Sequence, residues 1–199
     1  MRLYHIAGTC SLGIQALLEE LGEAYELASV GAPQSAERAR YREVNPKGKV
    51  PALQFADGSL LTEFPAIALY LARRHPERML LGSTPEQEAR IFELMEYIVS
   101  TGHMQGYARI RRPDRFSDDE RDYPKLRIAG LAIFQECLDN CEGALHGGEF
   151  ACDALSVADF ALLYIEHWSA SGDVGKLGPR CRRHYDAMRR RPSVARVLG

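Results

Sequence analysis

An α/β unit followed by an all-helical one is the fold class that this 199-residue chain predicts. Three observations carry it. As far as residue 76, short β-favouring runs alternate with helical patterns. From residue 86 onward only helical spacing of apolar residues is found. Between the two, Gly82-Ser83-Thr84-Pro85 combines a breaker with a helix start. The expected domains are therefore 1–76 and 86–199.

Residues 2–6 alternate loosely and carry Tyr4 and Ile6, which marks a short strand. Gly8 and Thr9 supply the turn. Ile14, Leu17, Leu18 and Leu21 then recur at helical spacing, which predicts a helix over Ser11–Leu21. Cys10 stands at the start of that helix. Unpaired backbone N–H groups and the positive end of the helix dipole favour thiolate there, so a nucleophile is one reading. A small buried cysteine beside a Ser11 helix cap is the other.

Val50-Pro51 leads into the apolar pair Ala52-Leu53, a strand entered through a proline whose missing donor interrupts no ladder. Asp57-Gly58 between two apolar runs predicts a β-hairpin. Ile67, Leu69, Tyr70 and Leu71 place an amphipathic helix over 65–74, ended by His75-Pro76. Beyond the linker a single long helix is expected over 86–107 and a polar loop over 111–122. Further helices are expected over 124–141, 156–169 and 180–191, with Gly143, Gly147 and Gly148 breaking the first of these three and a short turn at Pro192. Ser156 with Asp159 fits a capping box at the start of the 156–169 helix, a structural device worth about 1 kcal/mol per cap.

Bulk properties exclude several functions. A net charge of −2 gives no drive toward nucleic acid or an anionic membrane. No apolar run reaches membrane-spanning length, and the chain opens on a strand rather than a signal peptide. Five scattered cysteines form no disulfide framework, which points to the cytoplasm. Cys137 and Cys141 lie one helical turn apart, but no second ligand pair stands at zinc spacing, so no metal is expected. Gly13 fills the fourth position after Cys10, so the chain lacks a two-thiol C-x-x-C motif. The arginines from Arg180 to Arg191 read as the solvated face of a terminal helix.

The strand–GTCS–helix opening, NPKGKVPAL, DGSLLTE, PAIALYLA and the later LSVADF together resemble the glutathione transferase family, nearest to its bacterial beta class. The resemblance implies a thioredoxin-like, glutathione-binding domain over 1–76 and an all-helical domain over 86–199. It implies glutathione as co-substrate, a small electrophilic or disulfide second substrate, and a homodimer. Cys10 matches the family's active-site cysteine. Val50 and a cis Pro51 match the backbone that pairs with the cysteinyl part of glutathione. Glu63 matches the acceptor of the γ-glutamyl ammonium. Phe64 stands where the family usually has Gly or Ser for the γ-glutamyl carboxylate, so a backbone donor stays, a hydroxyl is lost and a ring adds bulk. His103 matches a histidine beside the cysteine. Glu96 stands where relatives carry an Asn that reaches the partner's glutathione, and Met104 replaces a common Lys. Ser11, with Tyr4 and Thr9, is a secondary source of a hydroxyl. Two chemistries follow: conjugation of glutathione to electrophiles, and thiol exchange through a Cys10 mixed disulfide. A non-catalytic binding or regulatory protein of the same fold is the alternative.

Overall fold

The computed structural model describes residues 1–146, 148–172 and 174–199; Gly147, expected to help break a helix, lies outside them. The chain falls into two compact units, Met1–Met79 with Arg189–Gly199, and Leu80–Met188.

In the first unit, β1 (Arg2–His5), α1 (Ser11–Leu21) and β2 (Glu26–Ser29) form a parallel crossover, and α2 (Ala36–Val44) follows. The hairpin β3 (Ala52–Gln54) and β4 (Leu60–Thr62) then leads into α3 (Phe64–Arg74). The sheet order is β2-β1-β3-β4, with Leu3 opposite Leu27 on one side and opposite Leu53 on the other. Leu3, Ile14, Leu17, Leu18, Leu53, Ile67 and Leu71 are fully buried. Gly22 ends α1 at φ +68°, where its N–H reaches the Glu19 carbonyl, a turn that glycine adopts without penalty. The predicted hairpin turn forms, with Gly58 at φ +85° and the Asp57 carboxylate accepting from the Ser59 N–H at 2.9 Å.

β2 and α2 occupy a stretch whose apolar period is weak: Tyr41 is the buried residue of α2. The chain's last helix, α9 (Pro192–Leu198), belongs to this unit and is tied to α1. Glu20 accepts from Arg191 at 2.7 Å and from the Ser193 hydroxyl at 2.6 Å, and Glu19 accepts from Arg196 at 2.7 Å.

The second unit is helical. Thr84 caps α4 (Pro85–Tyr97), accepting from the Gln87 N–H at 3.3 Å. The long helix expected over 86–107 does not run straight through. It widens to a π-helix at Ile98–Tyr107 and resumes as α5 (Ala108–Arg111). Along this wide segment α6 (Tyr123–Ala144) packs closely, because the facing positions are glycines. A Cβ on Gly106 would stand 2.9 Å from the Phe134 nitrogen, and one on Gly102 would stand 2.6 Å from Cys137 Sγ. Gly143 lies inside the last turn of α6, so it does not end that helix.

α7 (Val157–Ser171) and α8 (Pro179–Arg190) complete the unit, the last two residues of α8 belonging to the first. The capping box at Ser156 and Asp159 is present, and it does more than cap. The Asp159 carboxylate accepts from the Ser156 N–H at 2.7 Å and the Ala151 N–H at 2.8 Å, and Nε2 of His184 lies 3.1 Å away. Nδ1 of the same His184 lies 2.7 Å from Glu166. All three of these ionisable groups are buried. No helix among the described residues is long and apolar enough to cross a membrane.

Candidate functional site

Three connections of the first unit meet around one thiol. The β1–α1 turn carries Cys10, the residues before β3 carry Val50 and Pro51, and the β4–α3 junction carries Glu63 and Phe64. Cys10 is buried and its Sγ donates to the Val50 carbonyl at 3.4 Å. The Val50–Pro51 bond is cis. Val50 packs against the small core of Val30, Tyr41 and Ala52.

The loop that enters this bond is held by a buried amide. Asn45 is 2% exposed, and its Nδ2 donates to the Lys49 carbonyl at 2.9 Å and to the Tyr41 hydroxyl at 2.9 Å. The Tyr41 hydroxyl in turn donates to the Lys49 carbonyl. Such a fully paired polar network fixes a backbone that apolar packing alone would leave underdetermined.

The thiol's electrostatics differ from the expectation. Burial pushes the Cys10 pKa up to about 12. The backbone N–H groups of Cys10 and Ser11 act in the expected direction, lowering it, but desolvation outweighs them. The Glu63 carboxylate adds to the upward push. The upward push is smaller on half-buried Cys152, which is raised to about 11. All five cysteines are free thiols.

Ser11 is not a helix cap. Cys10 holds the N-cap position of α1 without a side-chain bond. The buried Ser11 hydroxyl instead braces the turn, accepting from the Ile6 N–H at 3.3 Å and standing 2.9 Å from the Thr9 hydroxyl. The Tyr4 hydroxyl donates to Gln54 at 3.1 Å.

Glu63 lies just before α3 with φ +74°, a left-handed backbone that costs a non-glycine residue roughly 1–3 kcal/mol and that clusters at binding sites. Its side chain is exposed and pairs with Lys47 Nζ at 2.9 Å. Lys47 Nζ also donates to the Thr62 hydroxyl at 2.8 Å. Phe64 opens α3, at the positive end of its dipole, and is 4% exposed. Lys47 was not singled out from the sequence. Its partner lies 16 residues away, and only the Asn45 turn, with Gly48 at φ +61°, hints that its loop is shaped.

His103 and Glu96 belong to the second unit. His103 sits on the π-helical segment within an aromatic group, its ring 5.0 Å from Trp168, 5.7 Å from Tyr164 and 6.4 Å from Tyr107. Tyr107 stacks on Trp168 at 3.8 Å. Glu96 is exposed on α4. Among the described residues, no group of three or more His, Cys, Asp or Glu is placed to hold a metal ion.

Residues 7–74 match the family model for the glutathione S-transferase N-terminal domain. The chain is 33% identical over 173 residues to glutathione S-transferase GstA of Escherichia coli O157:H7, covering 85% of this chain and 82% of that protein. The chain belongs to the glutathione transferase family. Solved structures agree with this glutathione transferase over nearly their whole length. A Sulfitobacter glutathione transferase homologue, crystallised with bound glutathione, superposes with a TM-score of 0.88 at 27% identity over 99% of this chain and 96% of that one. The beta-class enzyme of Sphingomonas chungbukensis superposes with a TM-score of 0.81 at 27% identity over 100% and 97%. This transferase therefore pairs a thioredoxin-like first unit with a helical second one.

Proposed function

We propose that this glutathione transferase conjugates glutathione to small electrophiles, with Cys10 acting as a neutral hydrogen-bond donor. The observation that carries the reading is the buried Cys10 thiol aimed at the carbonyl that precedes cis Pro51. Glutathione extends along Val50 and Pro51, its backbone pairing as an added strand. Its γ-glutamyl ammonium meets Glu63 and its γ-glutamyl carboxylate meets the start of α3 at Phe64.

The glutathione thiol gives its proton to solvent, and the Cys10 S–H turns from the Val50 carbonyl to the glutathione sulfur and stabilises the resulting thiolate. That thiolate attacks the electrophilic carbon, a C–S bond forms, and the leaving group departs with its electron pair. A thiol held at a pKa of about 12 suits a donor better than a nucleophile, which sets conjugation above thiol exchange through Cys10. His103 is assigned a part at the reacting atoms and Glu96 a part at a partner's ligand, both by family likeness. The same likeness supports a homodimer, and the free thiols support the cytoplasm.

Substitution separates the two chemistries. Cys10→Ser keeps a donor and is expected to retain conjugation of an activated aryl halide while abolishing glutathione–disulfide exchange. Loss of both would make the thiolate essential and overturn the donor reading. In the ligand-free protein, alkylation at neutral pH followed by peptide mapping is expected to label Cys152 before Cys10. The absence of both glutathione binding and turnover would leave the non-catalytic alternative.

A further inference from the structure

The Lys47–Glu63 pair is placed where a zwitterion would be read, and this inference rests on the proposed binding of a γ-glutamyl group at Glu63. Three observations bear on it. Lys47 Nζ is held within 2.9 Å of the Glu63 carboxylate and 2.8 Å of the Thr62 hydroxyl. Both members of the pair are more than half exposed, at 55% and 57% of their side chains, so an incoming group reaches them. The backbone on either side is shaped, by the buried Asn45 network that leads into Val50 and by the left-handed Glu63.

A γ-glutamyl head carries an ammonium and a carboxylate on one carbon. An ammonium arriving at Glu63 alone would meet the Lys47 cation and be repelled by it. A zwitterion instead exchanges partners: its ammonium takes Glu63 and its carboxylate takes Lys47. One internal ion pair is then replaced by two, and no charge is left unpaired. The exchange also answers a chemical shortfall of this chain. Phe64 brings no hydroxyl to the carboxylate, and a lysine point charge makes good the missing donor.

We infer that Lys47 is a specificity residue of this transferase, binding the α-carboxylate of the γ-glutamyl group that Glu63 holds by its ammonium.

Calorimetry on the full-length protein tests it with two probes, glutathione and γ-aminobutyryl-cysteinylglycine, which lacks that carboxylate. Lys47→Met is expected to weaken glutathione by about tenfold, as for a partly exposed charged hydrogen bond, and to tighten the carboxylate-free probe, whose ammonium no longer meets the Lys47 cation. Lys47→Arg is expected to keep most of the affinity. Equal weakening of both probes would make Lys47 a structural support and overturn the inference. Tighter glutathione binding in Lys47→Met would make it a mere competitor for Glu63 and overturn it as well. Glu63→Gln separates this inference from its premise. If it does not weaken glutathione, or if the wild type binds none, the γ-glutamyl subsite falls and Lys47 with it. If Glu63→Gln weakens binding and Lys47→Met does not, the subsite stands and the role of Lys47 falls.

Discussion

Two ion pairs in this molecule use the same chemistry for opposite ends. Lys47 and Glu63 meet in water, each more than half exposed, whereas His184 lies between Asp159 and Glu166 with all three at 1% exposure or less. An exposed pair gains little from folding, typically below about 1 kcal/mol, so it can be broken and remade with a ligand. A buried cluster has lost its hydration and cannot be opened without leaving a bare charge. The difference teaches where each sits: exchangeable charge at the proposed glutathione subsite, unexchangeable charge in the helical core.

The buried cluster also shows how neighbours outweigh burial. Desolvation alone would lower the His184 pKa, but the carboxylates of Glu166 and Asp159 reverse this and raise it to about 10. Burial raises Glu166 to about 7 against the pull of His184. Among the described residues one Glu166 oxygen, Oε1, has no hydrogen-bond partner, so the charge of Glu166 rests chiefly on His184, with a smaller pull from Arg182.

The sharpest way to break the comparison is His184→Ala. It leaves two buried carboxylates facing each other and is expected to cost about 3–5 kcal/mol in urea unfolding, as for other severed buried pairs. Asp159→Ala is expected to cost more than the roughly 1 kcal/mol of a simple helix cap, because that carboxylate also serves Ala151 and His184. A loss near 1 kcal/mol in either variant would place the cluster energetically with the surface pair.

A smaller effect is expected from pH. A histidine whose folded pKa lies above its ordinary 6.5 contributes stability that is full below 6.5 and is lost as pH rises toward about 10. Glu166, raised from 4.5 to about 7, has the same sign in a lower window. The melting temperature should therefore fall as pH rises from about 6.5 to about 7.5, below the main thiol titrations. In His184→Gln that slope should flatten. An unchanged slope would assign the pH dependence to other groups.

The smallest effect belongs to the exposed pair. Lys47→Met is expected to change unfolding stability by less than about 1 kcal/mol. A loss of several kcal/mol would mean that the pair holds the β4–α3 junction together, and the contrast between the two regions would collapse.

Local signals were legible in the chain itself. The turn at Asp57-Gly58, the Thr84 cap and the Ser156–Asp159 box each depend on residues within a few positions, so they can be read in order along the sequence. The candidates Cys10, Val50-Pro51 and Glu63-Phe64 could be singled out for the same reason, each forming part of a short contiguous motif. β2 and α2 were not, because exposed polar residues dilute their periods and Tyr41 alone is buried in α2. The π-helical stretch was hidden as well: glycines at 102 and 106 reveal close packing only once α6 lies against them. The acidity of Cys10 misled because its helix start is a local fact and its burial is not. Only the tertiary structure decided that desolvation wins there, that Lys47 meets Glu63, that His184 crosses 25 residues to reach Asp159, and that residues 192–198 return to α1. The physical reason is common to all four: dielectric, long-range charge pairing and close approach depend on what fills the space around a residue, which no window along the chain contains.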